Sequence, residues 1–234
     1  MKYVLMDLET ELISGPLDLD LRVPGITIGA TLTGDNDLKL WYERDIEGQA
    51  TGRTLSSTKA AELVHYLDHL AKEGHTIVTW NGAGFDFRVL AQASGLVSQC
   101  VDLAWDHVDM MFWFHCQKGF SIKLDSAAQA AGSGKTTGMS GADAPRLWAE
   151  GQYTRVQEYV AQDVRAAAAV YEGTVKNRAL YWITSQGRRS SVRGHPLSVR
   201  EAHQLPAPDT SWMTRAPWPR EKFVGWMLGS SAPG

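Results

Sequence analysis

Two carboxylates, Asp7 and Glu9, interrupt the apolar run Tyr3-Val4-Leu5-Met6-Asp7-Leu8-Glu9 at the start of this 234-residue chain. The run is short and rich in strand formers, so it reads as a β-strand rather than a helix. Side chains alternate across a strand, which puts Asp7 and Glu9 on one face. Neighbouring carboxylates at the end of a buried strand repel each other and resist leaving water. A cation between them, or a proton on one of them, relieves both problems, and a divalent metal is the simpler answer. The competing reading is that Asp7 ends the strand and Glu9 opens a solvated loop.

Other acids fall at the ends of other elements. Asp86 follows the tight turn Asn81-Gly82-Ala83-Gly84 and stands in the first turn of a helix. Taken alone, it reads as an acid stabilised by the helix N-terminus. Tyr159 and Asp163 are four apart on a long helix, so they are neighbours on one face. Tyr159 alone reads as a core residue, whereas an acid on a helix made mostly of alanine and valine needs a partner. Ligands drawn from the ends of several elements are what an α/β sheet offers at its carboxyl edge.

The elements that must position these residues can be read in outline. Ile26–Leu32 and Leu38–Tyr42 read as strands joined by the turn Gly34-Asp35-Asn36-Asp37, giving a three-stranded antiparallel start with the first strand. A helix capped at Ser56 or Ser57 and stopped by Gly74 leads to a strand over Thr76–Trp80, and a helix between strands favours a parallel crossover. Val101–Leu103 reads as a further short strand. The apolar stretch Asp106–Cys116 is ambiguous between helix and strand. An alanine-rich helix ends near Gly132, a short one covers Ala144–Glu150, and a long one runs from about Thr154 to Asn177. The fold class is α/β, with a mixed five-stranded sheet flanked by helices over residues 1–184. Residues 185–234 hold seven Lys or Arg against three acids, six of nine prolines and three of nine tryptophans. They read as an irregular basic extension that wraps the domain and buries its tryptophans, with phosphate contact by its arginines secondary.

The net charge of −3 argues against a general electrostatic coat for nucleic acid, though not against a site where metals reverse the local sign. Cys100 and Cys116 form neither a metal pair nor a disulfide framework, and no apolar run spans a bilayer. These features point to a cytoplasmic protein with no membrane partner.

The three motifs, in order, resemble those of the DEDD (DnaQ-like) superfamily of 3′–5′ exonucleases, which adopt the ribonuclease H-like fold. The first is Asp7-Leu8-Glu9, the second Asn81-Gly82-Ala83-Gly84-Phe85-Asp86, and the third Tyr159-Val160-Ala161-Gln162-Asp163. Tyrosine in the third motif marks the DEDDy subgroup, and the resemblance covers roughly residues 1–180. It implies a pair of divalent ions, Mg²⁺ or Mn²⁺, held by Asp7, Glu9, Asp86 and Asp163, because hard cations prefer oxygen ligands. It implies that Asp7 bridges both ions, that Glu9 and Asp163 complete the site generating the nucleophile, and that Asp86 serves the second ion. Tyr159 then orients the attacking water, since a phenol with a pKa near ~10 is a poor base at neutral pH. The implied substrate is a single-stranded or frayed 3′ end, DNA favoured, with a nucleoside 5′-monophosphate as product. A polymerase or another replication or repair protein would be a partner in trans. The alternatives are an RNA-trimming exonuclease and a non-catalytic nucleic-acid-binding module on the same fold.

Several residues are weaker candidates. Asn81 either closes its turn or touches the terminal nucleotide, and Phe85 is a core residue with a secondary claim on substrate. Asp106 and Asp109 read as caps or surface residues, with one a possible substitute ligand. Gly132-Ser133-Gly134-Lys135-Thr136 resembles the tail of a phosphate-binding loop, but Gln129 stands where the first glycine is required and a helix precedes it. Nucleotide hydrolysis is rejected, and Lys135 is kept as a substrate contact. His65 and His69 lack a third ligand and read as surface residues.

Overall fold

The computed structural model describes residues 1–13, 18–20, 22–133 and 139–229. Strand β1 (Tyr3–Thr10) places Tyr3, Leu5, Asp7 and Glu9 on one face and Val4, Met6 and Leu8 on the other. Strand β2 (Ile26–Thr33) runs antiparallel beside it, with Asp7 opposite Ala30 and Glu9 opposite Ile28. The register shifts between Glu9 and Thr10, so β1 is irregular directly after its second carboxylate. Strand β3 (Leu38–Trp41) returns antiparallel to β2.

Helix α1 (Ser57–Lys72) begins at Ser56, whose side chain accepts a bond from the Lys59 amide. It crosses over to β4 (Thr76–Thr79), which pairs parallel to β1. Helices α2 (Asp86–Ser94) and α3 (Val97–Asp106) then deliver β5 (Val108–Asp109), parallel to β4. The sheet order β3-β2-β1-β4-β5 is the mixed five-stranded arrangement anticipated from the sequence. The carboxyl ends of β1, β4 and β5 therefore share one edge, and on that edge lie Asp7, Glu9, the Asn81 turn and Asp109.

Two local readings are corrected. Val101–Leu103 is not a strand but part of α3, whose buried Cys100, Leu103 and Ala104 follow helical spacing. The ambiguous Asp106–Cys116 stretch splits at Asp109, which ends β5 and caps helix α4 (Met110–Lys118).

After α4 come α5 (Leu124–Ala131), α6 (Ala144–Ala149) and α7 (Tyr153–Asn177). Helix α7 buries Val156, Val160, Val164, Ala167 and Val170, the stripe its sequence predicts. It lies along β1 in a register fixed at both ends. At one end the Tyr3 hydroxyl donates to Glu172 at 2.6 Å and its ring meets Tyr171 edge-on. Moving four residues along β1 to Asp7 covers about 13 Å, and moving eight back along α7 to Asp163 covers about 12 Å. An antiparallel helix and strand clamped at Tyr3–Tyr171 must therefore bring Asp163 level with Asp7. On the opposite face, Leu8 meets α1 across Gly29, where a β-carbon would stand 2.6 Å from Leu8 Cδ2 and 3.8 Å from Leu63 Cδ2.

Among the described residues, the extension carries regular elements beside irregular stretches. Strand β6 (Ala179–Ile183) pairs antiparallel with β7 (Arg189–Arg193), so this hairpin lies on both sides of residue 185. Helix α8 (Val199–His203) opens with a capping box between Ser198 and Glu201. Helix α9 (Glu221–Leu228) follows an irregular stretch rich in proline. Alternation of Leu180, Trp182 and Val192 on the buried side drives the hairpin, a short pattern easily masked by surrounding Gly, Ser and Arg. The extension buries Phe223, Val224 and Met227 but leaves Trp212 and Trp218 64% and 56% exposed, against the burial anticipated for its tryptophans. Arg220 donates to four backbone carbonyls, those of His203, Leu205, Pro206 and Cys116, so this cation stitches the chain together. Both cysteines are buried free thiols. Among the described residues no helix is long and apolar enough to cross a membrane.

Candidate metal centre

Asp7 and Glu9 at the end of β1 meet Asp163 of α7, and each contributes a carboxylate oxygen to a cluster in which all lie within 4.8 Å of one another. Asp7 and Glu9 are half-buried and Asp163 is 7% exposed. Three formal negative charges in so small a volume repel strongly where water is partly excluded. Oxygen-only donors of this kind suit a hard divalent cation, and the residues present fit one.

Tyr159 lies one turn before Asp163 and hydrogen-bonds to it. Burial, followed by the charges of Asp163, Glu9 and Asp7, holds its ionisation well above that of a free phenol. The hydroxyl is therefore a neutral group beside the cluster, able to donate one bond and accept others.

Asp86 stands behind the cluster. It is buried, and its Oδ1 accepts a bond from the Leu8 amide at 2.9 Å, the peptide between the first two carboxylates. Burial and then the nearby Asp109 carboxylate push its pKa up to about 7, against the pull of backbone amides. An acid whose pKa is raised on folding binds more protons folded than unfolded, so its contribution weakens as pH rises from about 4 to about 7. In EDTA, wild type should therefore lose stability relative to Asp86→Asn across that interval, by on the order of 4 kcal/mol. Urea denaturation of both proteins at several pH values checks this, and parallel curves would remove Asp86 as the titrating group.

The turn carrying the second motif is held from below by Asp109. Its Oδ1 accepts from the amides of Asn81, Met111 and Phe112, and its Oδ2 from that of Ala83, all at 2.9–3.0 Å. Asp109 is thus the cap of α4 and, at the same time, the anchor of the turn preceding α2. Burial raises its pKa and the amide bonds oppose that rise. A second chain of bonds supports Gly82. Its amide donates to Thr79 Oγ1, 3.0 Å from His107 Nε2, while His107 Nδ1 lies 2.8 Å from the Ala104 carbonyl. That carbonyl can only accept, so Nδ1 carries the proton and Nε2 accepts from the Thr79 hydroxyl. Burial lowers the His107 pKa to about 4, which keeps the ring neutral.

Asn81 adopts a left-handed conformation at φ +76°, one that asparagine tolerates better than most residues. Glycine is required at the second and fourth positions of the turn for space. A β-carbon on Gly82 would stand 2.3 Å from Thr79 Oγ1, and one on Gly84 2.8 Å from Asn81 Oδ1. From above, Trp226 of α9 donates to the Ala83 carbonyl at 2.7 Å.

The structure thus gathers Asp7, Glu9, Asp163 and Tyr159, with Asp86 joined through the Leu8 amide. Asn81 and Phe85 flank the same turn, and Phe85 is half-buried against the core. Asp106 is exposed and pairs with Arg200 at 2.9 Å. His65 and His69 are exposed. Lys135 lies outside the described residues. Sequence reasoning missed Thr79, His107 and Trp226, because their roles come from tertiary contacts and no local pattern marks them. Asp109 did carry a signal, as an acid between a strand and an apolar helix.

Comparison with known proteins agrees with this architecture. A family profile described as RNase_H superfamily matches residues 40–175, more than half of the chain. No curated protein sequence matches. Among solved structures, the chain is similar to the family B DNA polymerase from the hyperthermophilic archaeon Pyrobaculum calidifontis, at 17% identity and a TM-score of 0.55. The similarity covers 74% of this chain but only 24% of that polymerase. On the profile match, supported by the sheet order and by α7 lying across it, the chain belongs to the RNase H superfamily.

Proposed function

We propose that the protein is a metal-dependent 3′–5′ exonuclease of the DEDDy type, acting on single-stranded or frayed nucleic acid, DNA favoured, and releasing nucleoside 5′-monophosphates. The observation that carries this reading is the convergence of Asp7, Glu9 and Asp163 within 4.8 Å, with Tyr159 bonded to Asp163. Asp7, Glu9 and Asp163, with Asp86 behind them, would hold two divalent cations, Mg²⁺ or Mn²⁺. When bound, such ions supply an activated water and offset charge developing on the phosphate oxygens.

The chain's own residues do the positioning. Tyr159, kept neutral by burial and by its acidic neighbours, donates or accepts a bond that fixes the direction of the attacking water. Asp86 fixes the Leu8 peptide and hence the angle between Asp7 and Glu9. The Asn81 turn, braced by Asp109 and Trp226, forms the wall against which a terminal nucleotide would rest. Choice between DNA and RNA depends on contacts to the 2′-hydroxyl. A polymerase or another replication or repair protein in trans would supply the 3′ ends.

The test uses 5′-labelled single-stranded DNA, duplex DNA and RNA with Mg²⁺ or Mn²⁺. A ladder shortening from the 3′ end supports the reading, and internal cuts or no cleavage under any condition would sink it. In the same assay Tyr159→Phe should lower kcat about 10²-fold, with KM little changed, because only the orienting hydroxyl is lost. Its melting temperature should stay close to wild type, since the ring remains packed.

A further inference from the structure

Trp212 and Trp218 stand out because more than half of each side chain faces solvent although both are held in place. The Trp212 indole nitrogen donates to the Asp209 carbonyl at 3.0 Å, and Phe120 meets its ring edge-on at 5.9 Å. Lys222 Nζ lies 3.9 Å from the centre of the Trp218 ring, and the Trp218 carbonyl is 2.9 Å from His115 Nε2. Large aromatic faces that are fixed yet exposed are ready for a flat partner, with little ordering cost on binding.

The two platforms belong to one continuous track. Trp212 lines a groove of about 1060 Å³ with Phe120 and Trp182, and Lys123 and Arg215 also line it. A smaller hollow of about 270 Å³ joins this groove to Trp218 through Met213 and Arg215. Trp218 in turn lies 6.4 Å from Phe223, whose Cδ1 would stand 3.1 Å from a β-carbon on Gly84. Phe223 is itself buried, so these contacts place Trp218 next to the turn of the candidate metal centre through the packed core. Among the described residues, neither Lys123 nor Arg215 has an ion-pair partner, and Asp125 is the one acid lining the groove.

We propose that this track binds single-stranded nucleic acid, taking the nucleotides on the 5′ side of the end held at the acids. Bases would stack on Trp212 and on the side of Trp218 away from Lys222, while Lys222, Arg215 and Lys123 approach the phosphates. Alternating aromatic faces and cations suit a flexible polyanion with flat bases. The direction of the strand rests on the 3′–5′ exonuclease reading, whereas binding itself does not. Helix α9 packs on the domain through Phe223, Val224 and Met227, while the segment before it presents Trp212 and Trp218.

Fluorescence anisotropy with fluorescein-labelled oligo(dT) and oligo(U) tests the proposal, using 4- and 12-nucleotide probes, Mg²⁺, and phosphorothioate linkages at the 3′ end to suppress cleavage. Wild type should bind the 12-mer more tightly than the 4-mer. Trp212→Ala and Trp218→Ala should each weaken the 12-mer about tenfold and leave the 4-mer unchanged, while the Phe variants retain most of the affinity. Arg215→Gln should lower the salt slope for the 12-mer by about 0.7. Equal binding of both lengths, or indifference of the 12-mer to both Ala variants, overturns the proposal. So does loss of a dimer in sedimentation of those variants without any change in oligonucleotide affinity, since a second copy would then be the occupant. If the Trp-dependent binding persists but no cleavage of unmodified strands is seen with Mg²⁺ or Mn²⁺, only the exonuclease reading fails.

Discussion

Asp163→Asn should abolish nuclease activity, by about 10³-fold or more, while making the metal-free protein at least as stable as wild type. The opposite signs follow from one cause. Asp163, Glu9 and Asp7 crowd their oxygens within 4.8 Å, so removing one charge relieves repulsion in EDTA. The same change deletes a ligand that a divalent cation needs, and cation stabilisation of developing charge is worth several kcal/mol, at about 1.4 kcal/mol per tenfold in rate. Asparagine keeps the shape of the side chain and can still accept the bond from Tyr159, so packing along α7 is retained. Thermal melts make the distinction visible. At a concentration of ion about 100-fold above its Kd, wild type should gain about 2.7 kcal/mol, or roughly 5–10 °C in Tm. Asp163→Asn should gain little. Retained cleavage in the variant, or an unchanged metal-dependent rise in Tm, would remove Asp163 from the centre.

The largest expected effect on stability lies at a residue that touches no substrate. Asp109→Ala should destabilise the protein by about 3–5 kcal/mol, and lower Tm by about 10 °C, measured by urea and thermal denaturation. Asp109 satisfies four backbone amides from two separate elements, those of Asn81, Ala83, Met111 and Phe112. Alanine strands all four in a site with no exposed surface, and each buried donor without a partner costs about 1–3 kcal/mol before water enters. Asp109→Asn should fall between. Its carbonyl can serve the three amides on one side, but its NH₂ group then faces the Ala83 amide, donor against donor. Hydrogen exchange across Asn81–Asp86 should accelerate in the Ala variant, and activity should fall with it because Asp86 loses its fixed approach to Leu8. Wild-type stability in Asp109→Ala would mean that the turn is held by Thr79 and Trp226 alone.

These two residues also show how far local sequence can be read. Asp7 and Glu9 share a face because a strand has a period of two, and Tyr159 and Asp163 share one because they are four apart on a helix. Both statements need only backbone geometry, which is why the motifs and most elements could be placed without coordinates. The same reasoning failed at Val101–Leu103, where an apolar–acid–apolar alternation three residues long was outweighed by a helical burial pattern extending beyond it. It also failed after residue 185, where a five-residue alternation was too short to stand out among prolines and arginines.

The sequence alone determined which carboxylates exist, which pairs share a face, and that each stands at the end of an element. Only the tertiary structure decided that the pairs meet. That outcome depends on where α7 crosses β1, a register fixed by Tyr3 against Tyr171 and Glu172 some 12 Å from the acids it aligns. It likewise decided that Asp109 reaches back 26 and 28 residues to Ala83 and Asn81, and that Trp226 reaches 143 residues to the same turn. Periodicity reports what lies along one element. The packing of one element against another is set by side-chain volumes and hydrogen bonds between residues far apart in the chain, and those contacts leave no periodic trace.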